Sequence, residues 1–333
     1  MSNWNKNAGY GRGLVDFVRT IVPTFGNILV VMNSSNSDEA NYHHMQEVMT
    51  PDPDGLVRFY TTLDAAYAAA ESNNNDVILL DANSSHNVAV GGLAVSKSRV
   101  HFIGMDGGGR YIQQGAKVQS TAGTAAVYVI KNTGTRNSFR NIKFIQTDDE
   151  ATSLTVFQEG GEGTYFENCS FTFGVADNLD QTNAYDFVHG GDSVTMKECT
   201  FGNDTLLTSA GRAVMAIDQV TSGQPFKNNI FKDCLWMTST SSTDLSFIRV
   251  LATTDVLFGN VFINPIMMNA IVTSTSAAAT DDAVDSVASL VEGNILFVNP
   301  NHNATAFCSD VTDHIQVCGP LTHVNAGAPQ TPA

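Results

Sequence analysis

At 333 residues the chain has room for one large solenoid or two ordinary domains. Its 17 Lys and Arg against 33 Asp and Glu give a net charge of −16, so no basic stripe is present to neutralise phosphates, and no nucleic-acid partner is expected. No run of about 18 apolar residues occurs, so no membrane span is expected, and Met1-Ser2-Asn3-Trp4-Asn5-Lys6 opens no signal-peptide core.

Residues 1–27 are rich in Gly and Asn, with a short apolar stretch from Leu14 to Val22 that Pro23 ends. They read as an arm that orders against a partner. Trp4, Tyr10, Leu14, Phe17 and Phe25 would supply its apolar contacts; Arg12 and Arg19 would face an acidic surface. Residues 28–76 read as a small α/β cap. Ile28-Leu29-Val30-Val31-Met32 is a buried strand, and Ser37-Asp38-Glu39 starts a helix running to about Met49. After the turn Pro51-Asp52-Pro53-Asp54-Gly55, a second strand, Leu56 to Tyr60, leads to a helix from Leu63 to Ala70 capped by Thr61 or Thr62.

From residue 77 to 300 a six-residue unit recurs. It runs Phe139-Arg140-Asn141-Ile142-Lys143-Phe144, then Phe166-Glu167-Asn168-Cys169-Ser170-Phe171, Met196 to Phe201 and Phe231 to Trp236. Phe258-Gly259-Asn260-Val261-Phe262-Ile263 and Glu292-Gly293-Asn294-Ile295-Leu296-Phe297 are read as the last copies. Repetition at this period signals stacked coils. Positions four and six share a strand face, and position one joins them only if the chain bends at position three. Asn tolerates the left-handed conformation that such a bend requires. Asn141, Asn168, Asn260 and Asn294 are therefore expected to form an amide ladder along one corner. Cys169, Cys199 and Cys234 share position four and read as stacked, reduced, buried thiols. Residues 301–333 read as a hairpin, across which Cys308 and Cys318 could meet, followed by an extended tail.

Two short strands meeting at an Asn corner once per turn describe a single right-handed parallel β-helix, an all-β solenoid. In these features the chain resembles the pectate-lyase-like β-helix superfamily over about residues 60–300. The resemblance implies a helix plugging the open end, here Leu63 to Ala70. That fold hosts lyases, hydrolases, adhesins and viral proteins alike.

For glycan hydrolysis, paired carboxylates are required. The available groups are Asp148-Asp149, Asp177, Asp180, Asp186 and His189-Gly190-Gly191-Asp192, with Arg212 and Arg249 as cations. Polygalacturonase-like enzymes carry Asn-x-Asp, Asp-Asp, Gly-His-Gly and Arg-x-Lys on successive coils; this chain lacks Arg-x-Lys and has only a broken Gly-His-Gly. Solvated loop acids are the expected reading, and no catalytic residue is assigned. His43-His44 diverge on a helix, Asp52 to Gly55 lacks further calcium ligands, and Asp106-Gly107-Gly108-Gly109-Arg110 lacks a phosphate-loop lysine, so neither a metal nor a cofactor is expected. With no site evident, the chain resembles the β-helical structural proteins of tailed-phage virions. That resemblance implies a non-enzymatic capsid decoration protein, a homotrimer bound to the major capsid protein. A tailspike or tail fibre that binds or cleaves polysaccharide is the alternative, and a non-viral surface adhesin the third.

Overall fold

A computed structural model describes residues 18–323 except 23–24, 37–39, 50–56, 106–113, 209–210, 241, 243, 252–255, 271–281, 287–294, 305, 309–314 and 320–321. The described residues form three parallel sheets of eleven, nine and seven strands, stacked as a right-handed β-helix. Each turn visits the sheets in one order. Ser138–Arg140 lies in the eleven-stranded sheet, Lys143–Gln146 in the nine-stranded and Thr155–Glu159 in the seven-stranded; Tyr165–Glu167 then returns to the first.

The interior is built from like residues stacked at like heights. Phe102, Phe139 and Phe166 stack with ring centroids 4.9 and 5.1 Å apart. Phe144, Phe171, Phe201 and Trp236 form a second column at 5.3, 5.3 and 5.0 Å, and Phe231, Phe262 and Phe297 a third at 4.3 and 4.6 Å. Offset stacking of this kind adds roughly 0.5–1.5 kcal/mol per pair beyond area burial.

The helix Leu63–Ala69 closes the first coil. Thr62 Oγ1 accepts from Ala65 N at 3.3 Å, and Leu63, Ala66 and Tyr67 are buried. Tyr67 Oη accepts from the backbone N–H groups of Ser96 and Lys97 at 2.7 and 2.8 Å. Lys97 Nζ donates to the carbonyls of Tyr67, Ala68 and Ala70 at the helix end, where its charge also suits the helix dipole.

The 28–76 segment is not a separate unit. Ile28–Val31 pairs in parallel with both Phe59–Tyr60 and Asp76–Leu80, inside the eleven-stranded sheet. Nor is the segment after 300 a hairpin. Ile315–Cys318 pairs in parallel with Ile295–Val298 and Thr322–His323 with Asn301–His302, so coiling continues, and Cys308 and Cys318 are free thiols.

The arm also departs from expectation. A helical turn over 18–21 lies in the described part, and Val18 and Val22 are buried against Ile28, Val30, Val77, Leu79 and Ile103, with Phe25 packed beside them. These residues do have a local core, the outer face of the eleven-stranded sheet. Arg19 is half-buried. Trp4, Tyr10, Arg12, Leu14 and Phe17 lie outside the described residues.

Candidate functional site on the outer face of the seven-stranded sheet

The corner between the eleven- and nine-stranded sheets holds Asn141 and Asn168 at φ +57° and +51°. Asn168 Nδ2 donates to Asn141 Oδ1 at 3.0 Å. Glu198 and Asp233 take the next two corners at +54° each, followed by Asn264 at +50° and Asn299 at +51°. Asn264 Nδ2 donates to Asp233 Oδ1 at 2.9 Å and Asn299 Nδ2 to Asn264 Oδ1 at 3.3 Å. Asn260 is not on this corner, contrary to the sequence reading. It begins the strand Asn260–Ile263, fully buried, and accepts from Asn229 Nδ2 at 3.0 Å near the opposite end of that sheet. Asn294 lies outside the described residues. The true fifth and sixth corners read Phe262-Ile263-Asn264-Pro265 and Phe297-Val298-Asn299-Pro300. Proline in the apolar fourth position hid them. Cys169, Cys199 and Cys234 are free, and no more than 1% exposed.

The carboxylates singled out from the sequence do not converge, because most serve the coil. Asp148 is buried and accepts from Gly123 N at 3.0 Å and Ala126 N at 2.8 Å; burial alone would raise its pKa, but these donors hold it below the usual range. Asp149, Asp177 and Asp180 are exposed, and Asp192 pairs with Lys227 Nζ at 3.3 Å. Asp186 is buried against Arg212. His189 is fully buried, and burial drives its pKa down to about 3. Its neighbour in register, Glu159, is pushed up to about 8 by burial, although Asn132 Nδ2, Gly161 N and Thr164 Oγ1 all donate to it. His43 and His44 are exposed on the helix Ala40–Val48. Among the described residues no cluster of three metal-ligating side chains occurs. The Asp52–Gly55 and Asp106–Arg110 loops lie outside the described residues.

What does converge is a row that the sequence reading missed. On the seven-stranded sheet Ala94, Lys131, Gln158, Val188, Ala216, Arg249 and Asp285 pair in unbroken register, each one coil from the next. They alternate with Phe157, Glu159, Phe187, His189, Met215 and Ile217 of the interior; Lys131, Gln158, Arg249 and Asp285 are half-buried on the outer side, while Val188 and Ala216 between them are buried. At about 4.8 Å per strand, Lys131 to Asp285 spans about 24 Å along the solenoid axis.

Beside this row stand two half-buried tyrosines. Tyr185 pairs with Thr155, and Tyr128 lies two residues before Ile130 as Thr155 lies two before Phe157. The Tyr128 ring leans over the preceding coil at Gly92, where a Cβ would come within 2.8 Å of its Cδ2.

Arg249 is fixed at one end. Its Nε donates to Asp285 Oδ2 at 2.7 Å, while Nη1 and Nη2 lie 3.4 and 3.3 Å from the carbonyls of Gly211 and Asp244. Burial raises the Tyr185 phenol; Arg249 draws it down and Asp218 pushes it up, so both charges act on that ring. The loop after Ile217 forms a wall. It folds back over two coils, with Thr221 Oγ1 donating to the Gly160 carbonyl at 3.5 Å. A Cβ at Gly160 would lie 2.8 Å from Val220 Cγ1, and one at Gly190 2.3 Å from the Asp218 carbonyl oxygen, so glycine admits the loop. The result is a ledge in two parts, Lys131 and Gln158 with Tyr128 on one side and Arg249 and Asp285 on the other, with Val188 and Ala216 buried between them.

No family model matches the chain, and no curated protein matches it. Solved structures do. An alanine-substituted pectin methylesterase in complex with a hexasaccharide is 14% identical, covering 86% of this chain and 81% of its own, at a TM-score of 0.50. The deglycosylated pectin methylesterase of Aspergillus niger is 12% identical over 90% and 92% of the two chains, at 0.48. The Dettilon tailspike protein is 14% identical over 72% of this chain and 47% of its own, at 0.34. The likeness is one of fold. The expectation of a non-enzymatic protein is corrected by the first of these: a pectin methylesterase shares this fold, so the lack of a hydrolase-like acid pair in the sequence does not make such a coil inert.

Proposed function

We propose that this protein binds and modifies a polysaccharide laid along the solenoid axis, across the strands of the seven-stranded sheet. The carrying observation is that Lys131, Gln158, Arg249 and Asp285 stand half-buried in one register row of the sheet, with Tyr128 and Tyr185 beside it. A linear polymer presents one repeat after another, and a parallel coil offers one contact position per strand at fixed spacing. Tyrosine rings take the apolar faces of sugar rings at small entropic cost, while Gln158, Asp218, Arg249 and Asp285 offer donors and acceptors to hydroxyls. The hexasaccharide named with the similar pectin methylesterase supports this reading. A spike or fibre that engages a surface polysaccharide fits the ledge; a capsid-decoration role draws no support from it.

The test is binding of the full chain to a panel of immobilised polysaccharides, with release of reducing ends or ester groups followed over time. Tyr185→Ala and Gln158→Ala should weaken binding by about tenfold each, with an unchanged circular dichroism spectrum. Equal binding by the wild type and both variants would move the site elsewhere.

A further inference from the structure

The sign of the charge around the ledge bears on what can lie there. No Lys or Arg occurs between Lys143 and Lys197, a stretch that visits each of the three sheets twice. From Lys197 to Lys227 the only one is Arg212, which is buried against Asp186. The turns that lead from the nine-stranded into the seven-stranded sheet carry exposed acids instead. Asp149 and Glu150 precede Thr155–Glu159, Asp177 and Asp180 precede Tyr185–His189, Asp204 precedes Ala213–Ile217 and Asp244 precedes Ser246–Val250. Hydrogen bonds pin each turn to the one before. Asn178 Nδ2 donates to the carbonyls of Asp148 and, at 2.9 Å, Ser153; Thr208 Oγ1 donates to that of Leu179 at 2.7 Å, and Thr240 Oγ1 to that of Thr208 at 2.9 Å. The acids therefore form a fixed ridge parallel to the solenoid axis, on the edge by which each strand enters the ledge. Coils repeat at about 4.8 Å, well inside the screening length of about 10 Å at about 0.1 M salt, so the acids act together on anything laid along them.

We propose that the polymer held on this ledge is an uncharged polysaccharide, an inference that rests on the ledge being the polysaccharide site. A polyuronate or other polyanion would run its charges beside the acid ridge for the whole length of the contact. Of the row itself, Arg249 is already paired, its Nε donating to Asp285 Oδ2 at 2.7 Å, so Lys131 is the one cation left to meet an anion. A polymer of amino sugars would be drawn by the ridge, but would set its ammonium groups against Lys131 at one end of the row and Arg249 near the other. A chain of hydroxyls meets neither penalty. The Gln158 amide and the Tyr128 and Tyr185 phenols are uncharged and both donate and accept, as hydroxyls do. The ridge then selects by repulsion, keeping polyanions off a site whose own contacts are indifferent to charge. The whole chain adds to this, since its net charge is −16.

The experiment measures the affinity of the full chain for soluble polymers of three kinds: uncharged (glucomannan, galactomannan, dextran), uronate (polygalacturonate, alginate) and amine-bearing (chitosan). Each is titrated at about 20 mM and about 500 mM NaCl. The tightest binder is expected to be uncharged, with an affinity that changes less than about twofold between the two salts, and the uronates to bind at least about tenfold more weakly at the lower salt. The triple variant Asp149→Lys, Glu150→Lys, Asp177→Lys alters exposed side chains of the ridge and none of the ledge. It should gain at least about tenfold for a uronate at low salt and hold the uncharged polymer within about twofold, with an unchanged circular dichroism spectrum. A uronate or chitosan that binds the wild type at low salt more tightly than every uncharged polymer, and that Tyr185→Ala weakens, overturns this inference and leaves the ledge in place. So does a triple variant that gains nothing for the uronates. If no polymer binds, or Tyr185→Ala leaves binding unchanged, the ledge is not the site and the inference falls with it.

Discussion

Arg212 Nη1 stands 2.9 Å from Asp186 Oδ2 on adjacent coils, with both side chains almost completely buried. At the same height on the flanking coils stand the buried Val156 and Val214. Burial raises the Asp186 pKa, and the Arg212 charge pulls it back down. An ion pair here replaces apolar packing, and such pairs owe their persistence to the cost of stranding one charge.

Removing one partner should therefore be worse than removing both. Asp186→Ala or Arg212→Ala is expected to cost about 3–5 kcal/mol, and the combination Asp186→Val with Arg212→Leu to recover most of it. Urea unfolding of the three variants checks this; additive losses in the double variant would contradict it.

Stability should peak in mildly acidic solution. Glu159 is raised from 4.5 to about 8, so the native state holds a proton that the unfolded chain has released, and stability falls as pH rises through that window. His189 is lowered from 6.5 to about 3, so the unfolded chain takes up a proton that the native state refuses, and stability falls as pH drops through that window. Between 4.5 and 6.5 the two slopes oppose each other. Glu159→Gln should flatten the alkaline limb in urea unfolding at stepped pH and leave the acid limb intact.

The three thiols should be silent in the folded protein. Ellman titration without denaturant is expected to label Cys318, which is exposed, ahead of Cys169, Cys199 and Cys234. Cys199→Ser places a hydroxyl among buried thiols and should cost about 1–3 kcal/mol.

The corner position of Asn168 joins a left-handed φ to a side-chain hydrogen bond. Asn168→Ala loses the bond to Asn141 Oδ1 and puts a less tolerant residue at φ +51°. A loss of about 1–3 kcal/mol is expected. Asn168→Gly keeps the backbone free and should lose less, as thermal melts of the two variants would show.

The coil itself was legible in the chain. A left-handed corner and two inward strands are local demands, so Phe166 to Phe171 announces them in six residues. The helix over the open end was legible for the same reason. Where the local signal is shared by two places the reading slipped: Phe258-Gly259-Asn260 imitates the unit, while the real corner at Asn264 is followed by proline. The burial of Val18 and Val22 was hidden because the surface that receives them is the back of a sheet whose strands come from residues 28 to 103. The ledge was hidden more deeply. Lys131, Gln158, Arg249 and Asp285 share no motif and lie on different coils, and only the lengths of the turns between strands bring them to one height. Sequence sets which residues of a strand point outward, through a period of two; tertiary register decides which of them become neighbours, and that decided the site.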